Sequence, residues 1–495
     1  MGHMQQPIVP PVSISRIPPW LRNLITYLVG FAVLVGMALV EHGPARPADT
    51  VEAGHREFWS SDFWYERVVG APDPRDRHVA VITIGKDMKK DLPLGRNAET
   101  NTNVKVSTKV KNRSQAAENE SAANAKTSKP ETAVLPDACR RRIYLGELLK
   151  VLASLYPKVV VLDIWFDPEL CSDKGITSAL SDELGQFSKQ APIIVGVPSR
   201  NAADLQVESP SEFAYMANRK PPLKPTELVL MPVTDLSQQP GGRVTVAVVR
   251  RDSDVRRIPL SWPVYDGFPE EGANVQPKRR DTISVAAVRA LDPHHPVLKA
   301  IDALNPDGTW KPSTDSYPYT SLLREDQFPI ERAIDVICSR STDEFWRAAC
   351  TRTQVLSVTP DIFRDKIVVI GIVGLGGDIH ETALGRLPGV ILQANYIESL
   401  LSNRVYKPLP LWVDLLIGAI WLAAVFTIAW RFRSRAILAL TLSLSATICP
   451  AYVILKALIW SGYYTELLIP LAIAAIVTNV TVQFHHFLMH QGGTQ

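Results

Sequence analysis

A chain of 495 residues with 46% hydrophobic and 21% charged side chains is too polar to lie wholly in a bilayer, yet it carries long uninterrupted apolar runs. A formal net charge of +3, with no basic stripe interleaved with aromatics, argues against nucleic acid as a partner. The apolar excess is concentrated in four segments, so the expected plan is one membrane span, a large polar domain, then three further spans.

The N-terminal tail, residues 1–20, precedes a first span at 21–41, whose apolar run from Leu24 to Val40 reaches bilayer length once Trp20 and Leu21 are counted. No small-residue cleavage site closes that run, since Glu41-His42-Gly43-Pro44 follows, and it reads as an uncleaved anchor. The next stretch, REFWSSDFWYERVVG, has aromatics suited to a membrane interface or to packing on the domain.

Within the large domain, residues 42–410, HVAVITIG at 78–85 is the first clear strand. Residues 97–136 are rich in Asn, Thr, Ser, Ala and Lys with almost no large apolar side chain, which predicts a disordered insertion. From Cys139 to Leu155 a helical apolar period runs through Leu145, Leu148, Leu149 and Leu152, and Pro157 marks its end. VVVLDIWF at 159–166 is a nearly continuous apolar strand, as expected when both faces of a sheet are covered. A helix near 176–189 leads to PIIVGVP at 192–198. This alternation of strand and helix predicts an α/β class: a three-layer extracytoplasmic domain with a mostly parallel sheet.

Further on, 243–251 and 255–260 flank Asp252-Ser253-Asp254 and predict a β-hairpin. Residues 283–291 read as a short helix and 293–330 as a long surface excursion. Residues 366–372 return as the last core strand. The remaining spans are expected at 411–430, 436–458 and 465–488, leaving 489–495 as a short tail. Pro450 and Pro470 fall inside them, which bilayer helices tolerate. Arg16 and Arg22, flanking the apolar run of the first span on its N-terminal side, and Arg431, Arg433 and Arg435 between the second and third spans, are expected to place both termini inside and 42–410 outside.

Four of the five cysteines, Cys139, Cys171, Cys338 and Cys350, fall in the outer domain, where an oxidising compartment permits disulfides. Three pairings are available. Cys338 with Cys350 and Cys139 with Cys171 are preferred, unpaired core thiols being the alternative. Cys449 lies in a span, and no Cys/His spacing suggests zinc.

Asp163 ends an apolar strand, and Asp378, His380 and Glu381 follow the last strand across a Gly374–Gly377 turn. Loops at the carboxyl ends of parallel strands converge, so Asp163, Asp167, Asp378 and His380 are the candidate ligand-binding residues, for a small cation or a polar molecule. Bracing of the strand ends is the competing reading. The glycine turn lacks phosphate-loop spacing and no Gly-x-Ser-x-Gly elbow occurs, so no catalytic residue, metal or cofactor is assigned. In the spans, Asp414 and Lys456 stand at matching depth, either as an intramembrane pair or with Lys456 snorkelling to the interface.

At VVVLDIWF, at the Asp252-centred hairpin followed by Arg-Arg-Ile-Pro-Leu, and at GDIHETALGRLPGVILQANYIESLL, the chain resembles the second type of CHASE domain. It departs from that family at Thr382-Ala383, where members carry Thr-Pro, and at Gln393-Ala394, where they carry His-Ala. The resemblance implies a sensory module outside a bacterial inner membrane, followed by three membrane helices. Since the sequence stops shortly after the last span, it also implies that separate cytoplasmic effector proteins supply the output. The expected function is thus a non-enzymatic sensor or adaptor embedded in membrane lipids, with envelope proteins or a second copy as further partners. A structural or assembly subunit of an envelope complex is the alternative.

Overall fold

The computed structural model describes residues 19–41, 77–85, 137–166, 170–171, 173–201, 228–230, 243–249, 258–265, 278–303, 319–320, 322–350, 358–373, 379–382, 385–464 and 468–491. In chain order these form α1 (Pro19–Glu41), β1 (Val79–Ile84), α2 (Asp137–Ala153), β2 (Val159–Asp163), α3 (Lys174–Ser188), β3 (Ile193–Asn201), β4 (Leu228–Leu230) and β5 (Val244–Val249). Next come β6 (Ser261–Tyr265), β7 (Lys278–Asp281), α4 (Ile283–Leu291), α5 (Pro296–Ala303), β8 (Tyr319–Thr320), β9 (Ile330–Arg332), α6 (Ala333–Arg340), α7 (Glu344–Ala349) and β10 (Ile367–Ile372). The remainder are β11 (Ile379–Thr382), β12 (Gly385–Pro388), α8 (Gly389–Leu401), β13 (Val405–Pro408), α9 (Leu411–Arg431), α10 (Ala436–Trp460), β14 (Tyr463–Tyr464) and α11 (Leu468–Gln491).

Residues 71–313 and 322–404 make one compact unit. Its frame is a six-strand parallel run in the order β5-β3-β2-β10-β1-β9. Beyond Pro198, β3 exchanges β5 for an antiparallel partner, β4, which leads on to β6 and β7. The continuous apolar runs have a direct cause: Val79–Ile82, Val159–Leu162 and Ile367–Ile370 are fully buried on both faces.

Strand alternation sorts the residues into two layers. Ala80, Ile82, Val160, Leu162, Ile193, Val195, Val368 and Ile370 join one apolar cluster with Leu145, Leu148 and Leu152 of α2, Leu184 of α3 and Ile337 of α6. The opposite face carries α4 and α8. There, glycine is a packing requirement: a Cβ on Gly371 would lie 2.6 Å from Cβ of Val390 in α8. One on Gly196 would lie 2.7 Å from Val249 and 3.1 Å from the Leu162 carbonyl, and would also strike Ile283 of α4. Two disulfides tie the helical layer opposite α4 and α8: Cys139–Cys171, with Cα atoms 5.1 Å apart, and Cys338–Cys350, at 5.4 Å.

Two local expectations are corrected. Among the described residues, β5 pairs in parallel with β3 and meets Thr282 through one isolated bridge, whereas Ile258–Leu260 run straight into β6. The apolar side chains of β5 find a buried parallel neighbour, which a local hairpin would not supply. Within the expected surface excursion, Pro296–Ala303 is a helix with proline at its first position, where no amide hydrogen is needed. Residues 97–136 and 250–257 lie outside the described residues.

The second unit comprises 1–70, 314–321 and 405–495. Helices stand at all four places where spans are expected: α1, α9, α10 and α11. Leu34 of α1, Leu422 and Val425 of α9, and Leu471 and Ala474 of α11 form a core, with Ile454 of α10 packed against it. Close approach uses small residues: a Cβ on Gly418 would lie 2.6 Å from Leu34, and Gly30 abuts Thr478. Outward positions such as Ile420, Ile437, Val453 and Val480 are also apolar and exposed. Among the described residues, Trp412–Arg431 is the helix long and apolar enough to cross a membrane, and Leu471–Phe484 is a shorter apolar helix.

Candidate functional site

The carboxyl edge of the parallel sheet is the first place to look for a ligand. Asp163 stands there at the end of β2, half-buried and in register with Gly371, which in turn aligns with Thr83 and, through it, with Arg332. The Arg332 guanidinium donates to both Asp335 oxygens at 2.7 and 2.9 Å and so fixes the start of α6. His380 is on β11, opposite Leu387 of β12 in a small antiparallel hairpin, and is buried. That hairpin is further held by the Thr382 hydroxyl, which donates to the Gly385 carbonyl at 2.8 Å, and Gly385 takes a φ of +99° that favours glycine. Asp167 and Asp378 lie outside the described residues.

The opposite, amino end of β1 holds a more elaborate arrangement around Glu398. Twelve of the thirteen residues of α8 are buried, and Glu398, in its last turn, is 1% exposed. Its carboxylate accepts from the backbone amides of His78 at 2.9 Å and Val79 at 3.1 Å, from the Ser402 hydroxyl at 2.7 Å, and lies 3.3 Å from Nδ1 of His78. One side chain therefore terminates β1 and anchors the end of α8. Arg77, 2% exposed, adds positive charge nearby and donates from Nε to the Gln327 carbonyl at 3.3 Å.

Helix α8 ends in a Schellman turn. Asn403 adopts φ 53°, a left-handed conformation that asparagine tolerates, and the Arg404 amide donates to the Ser399 carbonyl at 2.8 Å. The turn holds the buried Arg404 near the cluster, and α9 begins at Leu411. Asn395, one turn before Glu398, accepts from the Leu323 amide at 2.6 Å and donates to the Leu323 and Ile391 carbonyls at 3.1 and 2.9 Å.

Burial pushes the Glu398 carboxyl up, but hydrogen bonds from His78 and Ser402 and the positive charge of Arg77 outweigh it and hold the group below its ordinary value. The hydrogen bond to Glu398 raises His78 against the burial that lowers it. Burial lowers Arg77 in spite of the Glu398 charge. The result is a buried carboxylate kept ionised by groups from two segments, 77–79 and the end of α8, a geometry in which a shift of one is felt by the other.

Sequence reasoning missed this network. The available signal was Glu398 itself, a carboxylate in the otherwise buried ANYIESLL helix, where a charge must find partners. In the helical unit, Asp414 is 2% exposed in the first turn of α9, and Lys456 sets Nζ 5.4 Å from the Trp460 ring, one turn further along α10.

The family model of the CHASE2 domain matches residues 134–429. No curated protein and no solved structure matches the chain.

Proposed function

The chain belongs to the CHASE2 family of extracytoplasmic sensory domains, and from that premise we propose a non-enzymatic inner-membrane sensor that detects a signal with its α/β unit and passes it to separate cytoplasmic effector proteins. The observation that carries this reading is the extent of the family match, which runs from the residues just before α2 through nearly all of α9. The match covers most of the α/β unit together with the candidate span, which supports the reading.

In this reading α1, α9, α10 and α11 all cross the bilayer, residues 42–410 lie outside, and the arginines at 431, 433 and 435 stay inside. The Glu398 network is the coupling element. It joins the first core strand to the end of α8, from which the chain continues to α9 at Leu411.

Affinity purification of cross-linked protein from native membranes tests the proposal. Recovery of a cytoplasmic effector is the expected result. Recovery of envelope proteins alone would sink the sensor reading and favour a structural subunit of an envelope complex. Reporter fusions within 97–136 and at Arg433 test the topology: cytoplasmic activity from the first would overturn the placement of the whole domain.

A further inference from the structure

Away from the Glu398 network, the α/β unit contains an open cleft of about 500 Å³ between β5, β7, α4 and α5. That volume suits a small molecule. Ala286, Arg289 and Ala290 of α4 line it at helical spacing, so two methyl groups leave room around one guanidinium. Among the described residues the other charged groups lining it are Arg279, Arg280, Asp281 and Asp302, three arginines against two aspartates with Arg289 included.

The arginines are held ready from behind. Arg289 donates from Nε to Asp281 at 2.8 Å, and Arg279 donates from Nε to the Ser261 hydroxyl at 2.9 Å. Their outer edges meet on a single carboxylate, Asp302. Nη1 and Nη2 of Arg289 grip its two oxygens at 3.2 and 3.0 Å, and Nη2 of Arg279 lies 3.8 Å away. This fork-on-fork geometry is the one by which guanidinium recognises carboxylate and phosphate. The Arg289 hydrogen bonds hold the Asp302 carboxyl below its ordinary value, so it remains charged at neutral pH.

Asp302, however, is the expendable member. Its side chain is 50% exposed and sits at the end of the eight-residue helix α5, and an ion pair so placed contributes little to stability. Asp281 is less exposed, at 23%, and continues to orient Arg289 if Asp302 leaves. We propose that this cleft is a binding site for a small molecule bearing an oxyanion, a carboxylate or phosphate group, which displaces Asp302 and takes its place between Arg279 and Arg289.

As the ligand class of the sensory domain the inference rests on the sensor reading, and the measurement separates the two. Full-length protein in lipid nanodiscs is titrated calorimetrically with succinate and with inorganic phosphate at fixed ionic strength, with chloride as control. Wild type is expected to bind at least one of the two anions. Asp302→Asn, which removes the internal competitor, is expected to bind about fivefold more tightly, the upper end of what an exposed ion pair supplies. Arg289→Gln should lose binding, and Arg279→Gln, which leaves the Arg289–Asp281 contact intact, should weaken it. Preference for succinate identifies a carboxylate ligand, and preference for phosphate a phosphorylated one. Absence of binding in both wild type and Asp302→Asn overturns the site and leaves the sensor reading standing, as would an Asp302→Asn protein that merely melts earlier. Anion binding that leaves effector recovery unchanged supports the site and counts against the sensor reading alone.

Discussion

The two units solve the same packing problem with different chemistry. The α/β unit buries charged and amide side chains, but satisfies them with named partners: Glu398 with two backbone amides, His78 and Ser402; Asn395 with Leu323; Ser341, which donates to Glu147. The helical unit relies on close approach at Gly30 and Gly418, with a few hydroxyl bonds inside a helix, such as Thr478 to the Ala474 carbonyl, and between helices, such as Tyr27 to the Ala419 carbonyl and Ser443 to Asn479. Burial of apolar surface from water drives the first and tolerates a few fully paired charges. In the second, glycine at the helix contacts lets neighbouring helices come close enough to pack.

The largest expected effect breaks the first half of this comparison. Glu398→Ala strips two strand amides and a histidine of their acceptor and leaves Arg77 buried without its counter-charge, which should destabilise the α/β unit by about 3–5 kcal/mol. Chemical denaturation of the full chain in detergent reads the loss. Glu398→Gln, which keeps an acceptor oxygen, should recover part of it.

Removal of the Cys139–Cys171 bridge comes next. Its separation of 32 residues corresponds to roughly 3–4 kcal/mol of loop-closure entropy. Among the described residues both disulfides are in the α/β unit, so reductant should lower its melting transition and leave that of the helical unit in place. A parallel fall in both transitions would show that the units melt as one.

Smaller effects come from the glycines. Gly371→Ala sets a methyl 2.6 Å from Cβ of Val390, and Gly418→Ala sets one 2.6 Å from Leu34. Overpacking of this kind costs about 1–3 kcal/mol. The first change should act on the α/β transition and the second on the helical one, which separate melting signals from the two units would resolve.

The smallest effect is a pH dependence. His78 is raised above its ordinary 6.5, so its contribution is complete below that value and fades as pH climbs through the raised one. Glu398 is held below its ordinary 4.5, so its contribution is complete above that value and fades as pH falls through the lowered one. Both are complete between pH 4.5 and 6.5. Because the His78 side chain is half exposed, its part amounts to at most about 1 kcal/mol. Melting curves of wild type and His78→Ala should differ most in that window and converge above it; a constant difference would remove the titration argument.

Much of the frame was legible in the sequence. Strands expected at 78–85, 159–166, 192–198 and 366–372 appear as β1, β2, β3 and β10, and the helix expected at 283–291 is α4. Long apolar runs announce themselves because both faces of a central parallel strand must be dry. The three-residue β9 carries no such pattern; only the neighbouring β1 makes it a strand. The expected hairpin at β5 failed for the same reason, since its Val-Ala-Val core suits a hairpin and a parallel neighbour equally well.

The candidate site divides along the same line. Asp163 was singled out because an ionisable group at the end of an apolar strand is conspicuous in one dimension. Glu398 was passed over because its partners are His78 and Val79, some 320 residues away, and no local pattern encodes a contact of that span. By itself the sequence determined which segments must be buried, which helices are apolar all round and to which family the chain belongs, for these follow from hydrophobic period, length and motif order. Only the tertiary structure decided which charges meet, because the cost of burying Glu398, or of gathering three arginines around Asp302, is set by the elements that surround them rather than by their neighbours in the chain.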